Sequence, residues 1–173
     1  KKSSKKSSLI PAWVGGQMAI SDLLSDSLRK EIDISQKLDQ SDKYFNEELN
    51  SLIPILKKQK AISCIPKLNQ LLIEIYRTKE LTSLFVFTLD GKFANEGIAF
   101  LWASRLAKKK QSTFSISAND FGFSLTTSED YDFSIIEKEF SYLIENNNLE
   151  EDLENAINFS ELTKRRFKNI AQI

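Results

Sequence analysis

The sequence predicts an α+β domain: a small antiparallel sheet from two hairpins around a buried helix, packed with N-terminal and C-terminal helices. Three observations carry this. Residues 70–89 alternate in the period of two expected of strands, with Leu72, Glu74 and Tyr76 against Leu71, Ile73 and Ile75. Residues 93–110 are apolar nearly all round as far as Leu106, as a buried helix requires. The segments on either side repeat apolar residues at helical spacing.

Taken in order, residues 1–8 (Lys-Lys-Ser-Ser-Lys-Lys-Ser-Ser) have nothing to bury and read as a tether. A phosphate-contacting arm is the sharper alternative, through lysines such as Lys5 and Lys6. From Ser21, Ile20, Leu24, Leu28 and Ile32 recur every four residues, and Ser21-Asp22 stands where an N-cap belongs. A second helix follows Ser41, with Phe45, Leu49, Leu52 and Leu56 on one face and Pro54 expected to kink or split it. After residues 77–82, the run Leu84-Phe85-Val86-Phe87 completes the first hairpin, closed by Asp90-Gly91.

The buried helix ends in Lys108-Lys109-Lys110, which suits the negative end of its dipole. Residues 113–118 and 121–126 form the second hairpin around Asn119-Asp120. From Phe133 three further helical pieces are expected, roughly 133–146, 149–157 and 160–173. The chain starts without methionine and ends inside a helical pattern, so it reads as part of a longer protein. Residues 1–10 form a tether or the end of a preceding domain, and residues 11–173 form a single domain.

Composition narrows the function. With 173 residues and 41% hydrophobic content, the chain can bury a core. No apolar run approaches the ~20 residues of a membrane span, and no secretory segment follows the first lysines. The single cysteine, Cys64, fits a reducing cytoplasm. The absence of histidine excludes a Ser-His-Asp triad, a Cys-His pair and a histidine-based zinc site. Five glycines, none in a Gly-Lys-Ser/Thr loop, leave no Rossmann or kinase phosphate loop. The formal net charge of zero hides an axis: residues 1–128 carry 19 basic and 13 acidic side chains, residues 129–173 carry 5 and 11. A basic part could face a polyanion while the acidic part faces solvent or a basic partner.

No catalytic constellation can be assembled. Two acids look buried, Glu96 beside Gly97 in the apolar helix and Asp120 in the tight hairpin. General acid/base work by Glu96 would need a partner; the structural alternative is capping of amides or pairing with an arginine such as Arg105. Asp120 and Asn119 have ordinary turn chemistry. The segment Pro-Ala-Trp-Val-Gly-Gly-Gln-Met at 11–18 sets Trp13 ahead of Gly15 and Gly16, with Gln17 following. This is the composition of a single-strand contact, or else of an aromatic anchor and a turn. Arg105 with Lys108, Lys109 and Lys110, and Arg165 and Arg166 beside Phe167, are basic clusters suited to a nucleic-acid backbone or to a solvated helix end.

Several of these stretches, in order, resemble the C-terminal DEAD/H-associated domain of ligase-associated, Lhr-type DEXH-box DNA helicases. They are Pro-Ala-Trp-Val-Gly-Gly-Gln-Met-Ala-Ile-Ser at 11–21, Leu-Phe-Val-Phe at 84–87, Asn-Glu-Gly-Ile at 95–98 with Ala-Ser-Arg at 103–105, and Thr-Phe-Ser-Ile at 113–116. Asn-Asp-Phe-Gly-Phe at 119–123 and Glu-Leu-Thr-Lys-Arg-Arg-Phe-Lys-Asn-Ile-Ala at 161–171 complete the set.

The resemblance implies an accessory part of an ATP-dependent, 3′-to-5′ single-strand DNA translocase and helicase, acting in DNA repair beside a DNA ligase and a nuclease. RecA-like lobes and a winged helix would precede it and would hold ATP and Mg. This chain would have no cofactor and no ATPase activity of its own. The resemblance carries over Trp13, Gly15, Gly16, Glu96, Gly97, Arg105, Asn119, Asp120, Gly122, Arg166 and Phe167. Gln17 stands where the family commonly has Arg, and Asn95 where it commonly has His. Two roles follow from this reading: a DNA-contacting part of the channel, or a brace that docks the motor and a repair partner without touching DNA.

Overall fold

The computed structural model describes residues 20–35, 47–128 and 130–158. Helices α1 (Asp22–Ser35) and α2 (Glu47–Ile62) precede strands β1 (Leu72–Arg77) and β2 (Thr82–Phe87). Helix α3 (Lys92–Lys109) then leads to β3 (Ser115–Asn119), β4 (Gly122–Thr127), α4 (Ile135–Leu143) and α5 (Leu149–Asn158). The expected α+β arrangement of two hairpins around a helix is present. The sheet order is β1-β2-β4-β3, antiparallel throughout.

Because side chains alternate across a strand, the sheet has two unlike faces. Leu84, Val86, Phe123 and Leu125 point to one face and are buried beneath α3 with Ala99, Trp102 and Leu106. Trp102 meets Phe123 and Phe140 edge-on, with ring centroids 5.5 and 6.1 Å apart. Phe114, Tyr131 and Phe133 extend this core toward α4 with centroids 5.0–5.9 Å apart. The edge-on pairs, Trp102 with Phe123 and Phe140 and Phe114 with Tyr131, add to the area term at roughly 0.5–1.5 kcal/mol each.

Several expectations need adjustment. Ser21 does cap α1, its Oγ accepting from the Leu24 amide at 3.3 Å. Leu24, however, is exposed, and Ser25 is the buried residue, donating to the Leu89 carbonyl. The reason is that α1 meets a polar corner at residues 88–90, where Arg29 also binds the Thr88 carbonyl and Asp90. Helix α2 runs through Pro54 unsplit, and the proline ring lies on the exposed side.

The second turn sits one residue later than expected. Asn119 pairs with Gly122, leaving Asp120 and Phe121 as the two-residue loop. Asn119 Oδ1 closes it by accepting from the Phe121 and Gly122 amides at 2.9 and 3.1 Å. At Gly122 a Cβ would lie 2.2 Å from the Val86 carbonyl oxygen, so no larger residue fits without backbone movement. The helical piece expected at 160–173 lies outside the described residues.

Candidate nucleic-acid interface

Helix α3 brings the sequence-predicted charged residues to one end of the domain. Arg105 is the sharpest departure from expectation. It lies about one turn from the lysine run, but on the inward face, and its side chain is 1% exposed. Nε donates to Asp152 Oδ2 at 2.9 Å, and Nη1 to the Tyr142 and Leu143 carbonyls, also at 2.9 Å. Those carbonyls close α4, where no amide of the helix is left to pair with them. Arg105 therefore caps α4 and pairs with α5, and its guanidinium is not presented to a phosphate. Its carboxylate partner is Asp152, where the sequence suggested Glu96.

The three lysines are exposed, and each has a partner. Lys108 Nζ lies 2.6 Å from Asp152 Oδ1, and Lys109 Nζ 2.8 Å from Glu139 Oε2. Lys110 Nζ donates to the Asp130 carbonyl at 2.7 Å. Lys109 also sits 4.5 Å above the Tyr142 ring and Lys110 5.5 Å from the Tyr131 ring. The hydrogen bond from Lys108 holds the Asp152 carboxyl below the usual range, and the same bond raises Lys108. Lys109 is raised by its bond to Glu139. The basic end of α3 is thus largely compensated by the acidic segment that follows it.

The opposite end of α3 holds the other motif residues. Asp120 Oδ1 accepts from the Lys92 amide at 2.9 Å, so the hairpin loop supplies the helix cap from 28 residues away. Asn95 is fully buried; it accepts from the Thr88 hydroxyl and donates to the Asn119 carbonyl at 2.8 Å. Glu96, expected inside, is only half-buried, because adjacent helical residues lie about 100° apart and Asn95 takes the inward direction. Gly97 faces open space, with no atom within 4 Å of where a Cβ would stand. Lys5, Lys6, Trp13, Gly15, Gly16, Gln17, Arg165, Arg166 and Phe167 lie outside the described residues.

Sequence reading missed three features. One is the Arg105–Asp152 pair, whose partners are far apart in the chain. The second is the solvent-side face of the sheet, where Tyr76, Phe85 and Phe87 are exposed. The alternation in Leu84-Phe85-Val86-Phe87 held that signal. The third is a cleft of about 440 Å³ between α1, α2, residues 64–72 and the end of β2. Among the described residues no cluster of His, Cys, Asp and Glu could hold a metal, and no helix is long and apolar enough to cross a membrane.

Comparison with known proteins agrees with the fold. Residues 65–173 match the family described as DEAD/H associated. The chain is 31% identical over 172 residues to the ATP-dependent helicase Lhr-Core protein 2 of Thermococcus barophilus. It is 28% identical over 167 residues to the ATP-dependent helicase Lhr-Core of Methanocaldococcus jannaschii. Each alignment takes in 94% of this chain and 20% of the relative, so the chain spans about a fifth of their length. A solved structure of Mycobacterium smegmatis helicase Lhr bound to ssDNA and AMP-PNP superposes with a TM-score of 0.65. It covers 94% of this chain and 22% of that one at 14% identity, a likeness of fold.

Proposed function

The chain belongs to the DEAD/H-associated family, and on that premise we propose that it is an accessory domain of an ATP-dependent single-strand DNA translocase and helicase. The observation carrying the proposal is that nearly all of this chain aligns with one fifth of two proteins named as ATP-dependent helicases. The domain helps to form the DNA channel and braces the motor, and it hydrolyses no ATP itself. ATP and Mg belong to RecA-like lobes elsewhere in the protein, which translocates 3′ to 5′ in the cytoplasm during DNA repair, beside a ligase and a nuclease.

A brace without DNA contact is the second reading, favoured by one observation: Arg105 and the lysines 108–110 at the end of α3 are all engaged within the domain. Fluorescence anisotropy of a labelled single-stranded oligonucleotide at two salt concentrations separates the two. A DNA-contacting domain gives a Kd on the order of 10⁻⁴–10⁻⁶ M that weakens steeply with salt. Absence of binding at low salt leaves the brace.

A further inference from the structure

The solvent-side face of the sheet divides into an aromatic half and a hydroxyl half. Strand register sets Tyr76 beside Ser83 and Thr126 beside Ser115 on one rung, and Glu74 beside Phe85 and Ser124 beside Ser117 on the next. Leu72 and Phe87 form the third, at the sheet end. Tyr76 is 62% exposed, and Phe85 and Phe87 are each 37% exposed. The core beneath α3 does not account for these rings, because α3 covers the other face; Phe87 instead borders the apolar cleft against α1 and α2. The carboxylate on this face, Glu74, is turned to α2, accepting from Gln59 Nε2 at 3.1 Å and from the Ser63 hydroxyl.

Phe87 also lines the 440 Å³ cleft, together with Leu56 and Leu72. The same cleft also holds Asn69 and Lys67, beside Gln59 and Gln70, whose amides are partly engaged: Gln59 Nε2 donates to Glu74, and Gln70 Oε1 accepts from the Lys67 backbone amide at 3.1 Å. Its volume falls in the range of ordinary small-ligand sites, and its apolar walls with a few amide groups suit a planar heterocycle with donors and acceptors on its edge. Arg29 is the second cation at the cleft, and it is paired there with Asp90.

We propose that this face is a base-stacking platform for single-stranded nucleic acid, with bases laid on Tyr76, Phe85 and Phe87 and one base entering the cleft beside Phe87. The inference deepens the DNA-contacting reading above and rests on it. Side chains two apart on a strand stand roughly 6.6 Å apart, so Phe85 and Phe87 present successive ring surfaces along one line. Stacking is tolerant of sequence because every base has a π-face. The hydroxyls of Ser115, Ser117 and Ser124 flank the line as neutral donors to sugar and phosphate oxygens, while Thr126 is bonded to the Ser83 hydroxyl at 2.9 Å.

The test combines two readouts on the whole 173-residue chain with a labelled oligothymidylate. Anisotropy should show Tyr76→Ala, Phe85→Leu and Phe87→Leu each weakening binding by roughly tenfold while the salt slope stays that of the unaltered chain. The leucine variants keep apolar bulk, and Tyr76 is exposed enough to replace without loss of fold. Cys64, the chain's single cysteine, lines the cleft, so the oligonucleotide should slow its reaction with a maleimide several-fold. Binding that persists in all three variants with Cys64 unprotected overturns the platform and leaves the DNA-contacting reading intact. A chain that binds no oligonucleotide at low salt overturns both.

Discussion

At its N-terminal end α3 is held by groups reaching over from the sheet: Asp120 on the Lys92 amide, and Thr88 and the Asn119 carbonyl on the Asn95 side chain. At its C-terminal end it is held by charge, with Arg105 and Lys108 sharing Asp152, and Lys109 on Glu139. The first end is fixed by short, mostly neutral hydrogen bonds from the second hairpin's turn and from Thr88, the residue after β2. The second is fixed by long cationic side chains meeting the acidic helices α4 and α5. The difference shows how one helix can be rigid where it meets the sheet and electrostatically adjustable where it meets the C-terminal helices.

The largest effect should come from the charged end. Arg105→Met keeps the volume but leaves the Leu143 carbonyl without its Arg105 donor, the Tyr142 carbonyl with only the long 3.4 Å bond from the Glu145 amide, and Asp152 without its buried partner. We expect a loss of about 3 kcal/mol in urea unfolding; a loss under 1 kcal/mol would mean that the two ends do not differ in the way described.

Acid should sharpen the contrast. The folded-state pKa of Asp152 is depressed by Lys108 and Arg105, so its contribution is present above the unfolded value of 3.8 and lost as pH falls through the folded one. Lys108 is raised, so its share is present below 10.5 and lost as pH rises through the folded value. Chemical-shift titration should therefore show α5 loosening below about pH 4, while Asn95 and its neighbours hold.

Smaller effects belong to the sheet end. Asp120→Ala removes a cap supplied from outside the helix and should cost about 1 kcal/mol of thermal stability. Smallest, and opposite in sign, Gly97→Ala puts a methyl into open space within a helix and should stabilise by about 0.5 kcal/mol, read by a rise in Tm.

Much of the fold was legible because its signals are local. Alternation marks both hairpins, and the all-round apolar stretch marks α3. That same all-round character hid which face was inward, and so Glu96 was expected inside where Asn95 lies. The Arg105–Asp152 pair had no local signal at all, since nothing near residue 105 distinguishes Asp152 from the other acids at 129–154. The lysine run was legible as a basic cluster, but its neutralisation by Asp152, Glu139 and the Asp130 carbonyl depends on how α4 and α5 return to α3. The aromatic sheet face was present in the alternation, yet two phenylalanines on opposite sides of Val86 read equally well as core.

The junction of β2 with β4 also sets the order in which the domain assembles. Each hairpin forms from neighbours in the chain, but this junction closes a loop containing the whole of α3. Closing it costs chain entropy before any side chain of α3 meets the sheet, so joining the hairpins and burying the helix are expected to coincide. Amides of Leu84, Val86, Phe123 and Leu125 should then exchange with solvent deuterium only through global unfolding, whereas β1 at the sheet edge and α1 open earlier.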